Sequence, residues 1–207
     1  AGELQSTLKA ISGAELPIVL TDTLPESRAI ILGSIESPFD AVRKVAQQMG
    51  CMKSKDDLVG MRTQNSNLYL VANSPRAVLY PVYHFLKAEL GARWFWPGED
   101  GTYLPKLDAY ELKDLNWRHH PSFTFRELSQ CSHHGHLPTE FWMAKQGLNI
   151  GSQNSLTAFL YIRRAGSHTI GINKEHFQEH PDWFALVDGK RREDGVSGCW
   201  SNPGFTQ

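Results

Sequence analysis

The chain has 207 residues, 41% of them hydrophobic and 21% charged, enough to build one large domain or two small ones and too apolar for a disordered chain. Its 21 Lys and Arg against 22 Asp and Glu lack the basic excess of a dedicated nucleic-acid binder. No apolar run reaches the roughly 18 residues of a membrane span, and three cysteines without CxxC spacing exclude a disulfide scaffold.

The first predicted element is a helix over residues 1–11, with Leu4, Leu8 and Ile11 on one stripe and Gly13 as its stop. A short apolar run follows at Pro17-Ile18-Val19-Leu20. Ala29-Ile30-Ile31-Leu32-Gly33 reads as a buried strand, β-branched and closed by glycine. Phe39, Val42, Ala46 and Met49 recur at helical spacing up to Gly50. Gly60 to Thr63 and Asn67 to Ala72 then pair as a hairpin around Gln64-Asn65-Ser66. Ser74-Pro75 opens another helix with a capping hydroxyl and a first-turn proline; Val78, Val82, Leu86 and Leu90 form its buried stripe and Gly91 ends it.

Residues 99–122 read as a linker that still packs. From Phe123 the pattern restarts: Phe123 to Glu127 alternates with period two, residues 138–146 form a short helix, and Gly147 to Ile150 leads into another strand. Strand, helix, strand is the opening of a βα repeat. A complete (β/α)8 barrel takes about 250 residues, so only its beginning fits here. The expected fold class is α/β: a small open α/β sandwich over residues 1–115, then the truncated beginning of a TIM-like barrel over 116–207. The chain starts inside a helix without Met and stops in a loop-like stretch, so it reads as a piece of a longer, exported protein.

The chain has nine His, six Trp, six Tyr and ten Phe, with the His, Trp and Phe weighted toward the C-terminal half, a composition suited to a cleft for a neutral polar ligand. In the alternating segment, Phe123, Phe125 and Glu127 face one way, Thr124 and Arg126 the other. An arginine near the carboxyl end of a first barrel strand points into the mouth, where its rigid fork of donors can grip adjacent sugar hydroxyls or a carboxylate. The alternative is an arginine paired with a structural carboxylate. Glu127 is a further candidate for the lining. His168, in the small-residue loop Gly166-Ser167-His168-Thr169, suits a sugar hydroxyl, and Asn149 either binds hydroxyls or caps the backbone. Trp94-Phe95-Trp96 either stacks on sugar or fills a domain junction, with burial the preferred reading. Trp183 and Phe184 read as core, and Asp188-Gly189 as a tight turn.

Cys131-Ser132-His133-His134-Gly135-His136 invites a metal reading, but no HExxH and no carboxylate at ligand spacing accompany it, so no metal is expected. No phosphate loop, GxSxG elbow or dinucleotide fingerprint appears, so no cofactor is expected either. A glycosidase needs two carboxylates, about 5–5.5 Å apart for retention or about 6.5–9.5 Å for inversion. Glu99, Asp100, Glu127, Glu140 and Asp188 stand singly.

Several motifs together resemble one bacterial family of glycoside-hydrolase-like proteins, domain of unknown function 4838. They are Leu90-Gly91-Ala92-Arg93-Trp94-Phe95-Trp96-Pro97-Gly98-Glu99, His120-Pro121-Ser122-Phe123-Thr124-Phe125-Arg126-Glu127, Gly147-Leu148-Asn149 and Ser167-His168-Thr169. His180-Pro181-Asp182-Trp183-Phe184-Ala185-Leu186, Gly189-Lys190-Arg191 and Cys199-Trp200-Ser201-Asn202-Pro203 complete the set. The resemblance implies a domain of the α-glucuronidase/β-hexosaminidase N-terminal type before the barrel, without the strand that usually precedes its first helix. It implies that Arg126 meets the terminal sugar, and that catalytic carboxylates lie on middle barrel strands beyond Gln207. It also implies a periplasmic or extracellular location.

The function expected is that of a carbohydrate-active protein, a glycoside hydrolase in its full-length form, with Arg126, Glu127, Asn149 and His168 as substrate-binding residues and a fragment inactive by itself. The partner expected is an oligo- or polysaccharide, with no nucleic acid and no membrane span. The alternatives are a non-catalytic carbohydrate-binding or surface module and a metal-dependent hydrolase using His133, His134 or His136.

Overall fold

A computed structural model of the chain describes residues 1–21, 23–26, 28–126, 139–149, 172–193, 198–199 and 201–205. It divides into two units, Ala1–Tyr161 and Ile162–Gln207.

The first unit is α/β, as expected. Helix α1 (Gly2–Ser12) buries Leu4 and Ile11 and stops at Gly13, whose φ of 75° lets its N–H turn back to the Lys9 carbonyl. Strand β1 (Ile30–Ser34) is followed by α2 (Asp40–Gln48). Strands β2 (Val59–Gln64) and β3 (Asn67–Ala72) form the predicted hairpin, turning at Asn65 and Ser66 with φ of 51° and 57°. Two consecutive left-handed residues match the right-handed twist of the flanking strands. The Ser74 hydroxyl accepts from the Ala77 N–H, capping a 3-10 turn at Arg76–Val78 that runs into α3 (Leu79–Ala88).

The linker does pack. It contains β4 (Arg93–Trp94) paired antiparallel with β5 (Thr102–Tyr103), and Leu104, Leu107, Tyr110 and Leu112 lie against the core. It also supplies β6 (Asn116–His119), which hydrogen-bonds to β2 as the fourth strand of the main sheet, past the expected boundary at residue 115. Helix α4 (Thr139–Lys145) lies where residues 138–146 predict one.

The main sheet runs β1-β3-β2-β6, with β1 parallel to β3 and β2 antiparallel to both β3 and β6. Strands β1, β3 and β6 therefore end at the same edge. Central β3 is buried on both faces. Leu68 and Leu70 join Met61, Val82, Phe85 and Leu86 under α1 and α3, while Tyr69 and Val71 join Ile31, Val42, Val45 and Met49 under α2. Helix α2 sits close because the strands beneath it carry glycine: a Cβ at Gly33 would lie 2.4 Å from Val42 Cγ1, and one at Gly60 2.6 Å from Met49 Cβ.

The barrel opening is not seen among the described residues. Phe123 to Arg126 forms no β-ladder, although its alternation is as predicted: Phe123 and Phe125 are 73% and 50% exposed, while Thr124 and Arg126 turn inward. Its backbone is held by a side chain, Asn149, in place of a neighbouring strand.

In the second unit, β7 (Leu186–Val187) and β8 (Lys190–Arg191) join through Asp188 and Gly189, with φ of 51° and 75°. Phe184 is fully buried there and meets Phe177 edge-on, while Trp183 stacks on His180.

Candidate functional site

The edge where β1, β3 and β6 end is the edge at which open α/β sheets bind ligands. Asn73, just past β3, builds it. Its side chain accepts from the Leu58 N–H and donates to the Asp56 carbonyl at 2.7 Å, pinning the loop before β2 so that Asp56 and Asp57 lie side by side at the edge.

Asp57 turns inward and is 3% exposed. One oxygen pairs with Arg76 Nη2; the other accepts from Arg126 Nη2 at 2.6 Å and from Asn149 Nδ2 at 3.1 Å. A buried carboxylate persists only when paired and hydrogen-bonded in this way. Arg76 also donates to the Tyr80 hydroxyl, which donates to the Leu148 carbonyl at 3.0 Å. Both guanidinium carbons lie within 5.7 Å of the Tyr80 ring centre, Arg76 at 5.7 Å and Arg126 at 5.6 Å, so two cations share one π-system. Burial pushes the Tyr80 phenol above its ordinary pKa.

Arg126 completes the knot. Its Nε donates to the Gly147 carbonyl at 2.8 Å and its Nη1 to the Phe123 carbonyl at 2.9 Å. Asn149, fully buried, brackets the Arg126 backbone: its Oδ1 accepts the Arg126 N–H, its own N–H donates to the Arg126 carbonyl, and its Nδ2 reaches the Thr124 carbonyl. Two of the expected residues are thus brought together, with their polar atoms turned to protein partners. Glu127, His168 and the Cys131–His136 cluster lie outside the described residues.

Asp56 faces the other way. Its carboxylate accepts from the Thr124 hydroxyl, and His120 Nε2 lies 3.0 Å from Oδ2. The hydroxyl bond foremost, and then the imidazole, hold the Asp56 carboxyl below its ordinary pKa. The His120 side chain is 65% exposed, so the pair meets solvent. Behind it, His84 stacks on Trp117 at 3.7 Å between ring centres, and His119 lies parallel to the same indole at 5.8 Å. Desolvation lowers the pKa of both His84 and His119.

Sequence reasoning passed over Asp56, Asp57, Arg76 and Tyr80. The available signal was Asp56-Asp57 directly ahead of an apolar strand, where paired acidic residues are unexpected unless cations meet them. Among the described residues no group of His, Cys, Asp or Glu is placed to hold a metal ion. None of the described helices is long and apolar enough to cross a membrane.

Residues 96–207, from the exposed Trp96 through the segment locked by Arg126 to the end of the second unit, match the model of a family described as Domain of unknown function (DUF4838). The chain belongs to that family. Neither the curated proteins nor the solved structures give a match to it. In this DUF4838 chain the Arg126 end of the knot falls inside the matched region and the Asp57 end before it, so this ion pair, like Lys145–Glu3 and His120–Asp56, ties the family segment to the preceding α/β layer.

Proposed function

We propose that this is a carbohydrate-active protein of the glycoside-hydrolase type. In this reading an α-glucuronidase/β-hexosaminidase-like α/β layer leads into the first elements of a TIM-like barrel, and cleavage is carried by carboxylates outside residues 1–207. The partner is an oligo- or polysaccharide met outside the cytoplasm.

The observation that carries the reading is the solvent-facing Asp56–His120 pair past the ends of β1, β3 and β6, with Asp56 bonded by Thr124, the residue between the exposed Phe123 and Phe125. A carboxylate accepts hydroxyl protons, an imidazole donates or accepts, and aromatic rings cover the apolar faces of a sugar. That mixture suits a neutral polyol better than a phosphate or a lipid. Arg126 and Asn149 serve this surface by position: they fix the segment that presents Thr124 and both phenyl rings. Glu127 and His168 remain the proposed direct sugar contacts.

Binding without cleavage is the second reading for these 207 residues, favoured by Asp57. Held between two guanidiniums, it has both oxygens engaged as a structural carboxylate.

The test is retardation of the chain in native gels cast with a panel of polysaccharides, combined with an assay for released reducing ends. Retardation by at least one polysaccharide supports the reading, and His120→Ala should weaken it. No retardation across the panel contradicts it, and release of reducing ends by this chain contradicts the placement of the cleaving carboxylates outside residues 1–207.

A further inference from the structure

Trp94, Phe95 and Trp96 are consecutive, yet the fold divides them. Trp94 is buried, with its carbonyl capped by Trp142 Nε1 and Gln146 Nε2. Phe95 and Trp96 are 62% and 54% exposed, with ring centres 6.2 Å apart and planes inclined by 41°. The loop that carries them is fixed from within. The Phe95 N–H donates to the Gly101 carbonyl at 2.8 Å, the Thr102 N–H to the Glu99 carbonyl at 2.8 Å, and the Thr102 hydroxyl to the Gly98 carbonyl at 3.0 Å. Gly101 presses so close that a Cβ there would lie 2.1 Å from the Trp96 carbonyl oxygen and 2.8 Å from Cδ1.

Two rings in water on a loop that is already ordered form a preorganised platform, which loses little freedom when a ligand arrives. Charge selects the ligand. Glu99 and Asp100 are both exposed on this loop, and no Lys or Arg stands between Arg93 and Lys106. Carboxylates accept hydroxyl hydrogen bonds and repel phosphate, sulfate and uronate, so stacked nucleic-acid bases and acidic glycans are disfavoured. Planar aromatic faces suit the C–H faces of pyranose rings more than acyl chains. Rings inclined by 41° cannot both lie on one flat surface, which favours a single soluble chain over a crystalline one.

We propose that Phe95 and Trp96 form a surface site for a neutral, soluble glycan chain, built on the β4–β5 hairpin and not on the main sheet that carries Asp56 and His120. The proposal rests on the carbohydrate-active reading and adds a second point of contact to it.

The experiment is affinity electrophoresis of the 207-residue chain, Trp96→Ala and Phe95→Ala in soluble neutral glucan, xylan, mannan and galactan. Polygalacturonate and a cellulose pull-down serve as contrasts, and thermal unfolding confirms that each variant is folded. The expected result is retardation by a neutral soluble glycan that weakens about tenfold in each variant, the usual scale for removing an aromatic anchor. Retardation that both variants retain overturns this site and leaves the carbohydrate reading standing. Preference for polygalacturonate or cellulose overturns it as well. A parent chain retarded by nothing overturns the site and the carbohydrate reading together.

Discussion

Arg126 Nη2 and Asp57 Oδ2 lie 2.6 Å apart across 69 positions of sequence. This pair, closed on its other side by Arg76, is where the loop before β2, the first turn after β3 and the segment after β6 become one structure. Removing the carboxylate leaves two largely buried guanidiniums without their anion. Asp57→Asn should therefore cost about 3–5 kcal/mol, the scale for breaking a buried ion pair from one side. Urea denaturation measures it, and a loss below about 1 kcal/mol would mean that the knot is no more than a surface ion pair.

Helix α2 rests on two glycines, and the second offers a clean test. Gly60→Ala places a methyl 2.6 Å from Met49 Cβ and 2.9 Å from its Cγ. Overpacking of this kind costs about 1–3 kcal/mol. Met49→Gly creates a cavity by itself, but because it removes both the Cβ and the Cγ that the new methyl meets, combining it with Gly60→Ala should cost less than the sum of the two single changes. Strict additivity in the double-mutant cycle would show that the helix does not approach the sheet this closely.

Acid should weaken the first unit through its histidines. Burial lowers the pKa of His84 and His119 below their unfolded value of 6.5, so the unfolded chain binds more protons than the folded one between the folded and unfolded pKa values. Stability is then complete above pH 6.5 and is lost as pH falls through that window. Urea midpoints at pH 7.5 and pH 5.5 should differ in that direction. His84→Phe keeps a ring against Trp117 while removing one titrating group, and should flatten the dependence.

The two described cysteines should react at very different rates. Burial pushes the Cys51 thiol up to about 12, and the side chain is 1% exposed. Cys199 is lowered, chiefly by the Ser201 hydroxyl and then by Arg191. A thiol-disulfide reagent near neutral pH should modify Cys199 promptly and Cys51 only as fast as the first unit unfolds, which peptide mapping resolves. Equal rates would place Cys51 outside the core.

Local signals made much of the fold legible. Gly13, the Asn65-Ser66 turn, the Ser74-Pro75 cap and the apolar stripes of α1 and α3 each declare themselves within a few residues, because helix and hairpin chemistry is short-range. The fourth strand did not. Asn116 to His119 carries Asn, Trp, Arg and His, and becomes a strand only because β2 offers it a partner about 57 residues back. The knot was invisible for the same reason: Arg126 was singled out as a cation at a strand end, but its carboxylate, its tyrosine and the role of Asn149 depend on contacts 23 to 69 residues away. Pro17 to Leu20 shows the converse, an apolar run that lies outside any strand with Leu20 97% exposed.

We propose that sugar binds at the edge of the sheet where β1, β3 and β6 end. Hydrogen exchange of the chain, with and without the best-retarding oligosaccharide, tests this most directly. Slower exchange is expected in residues 54–58 and 119–126, around Asp56, His120 and Thr124. Protection confined to the opposite edge, at Asn65 and Ser66, or no protection at saturating oligosaccharide, would contradict it.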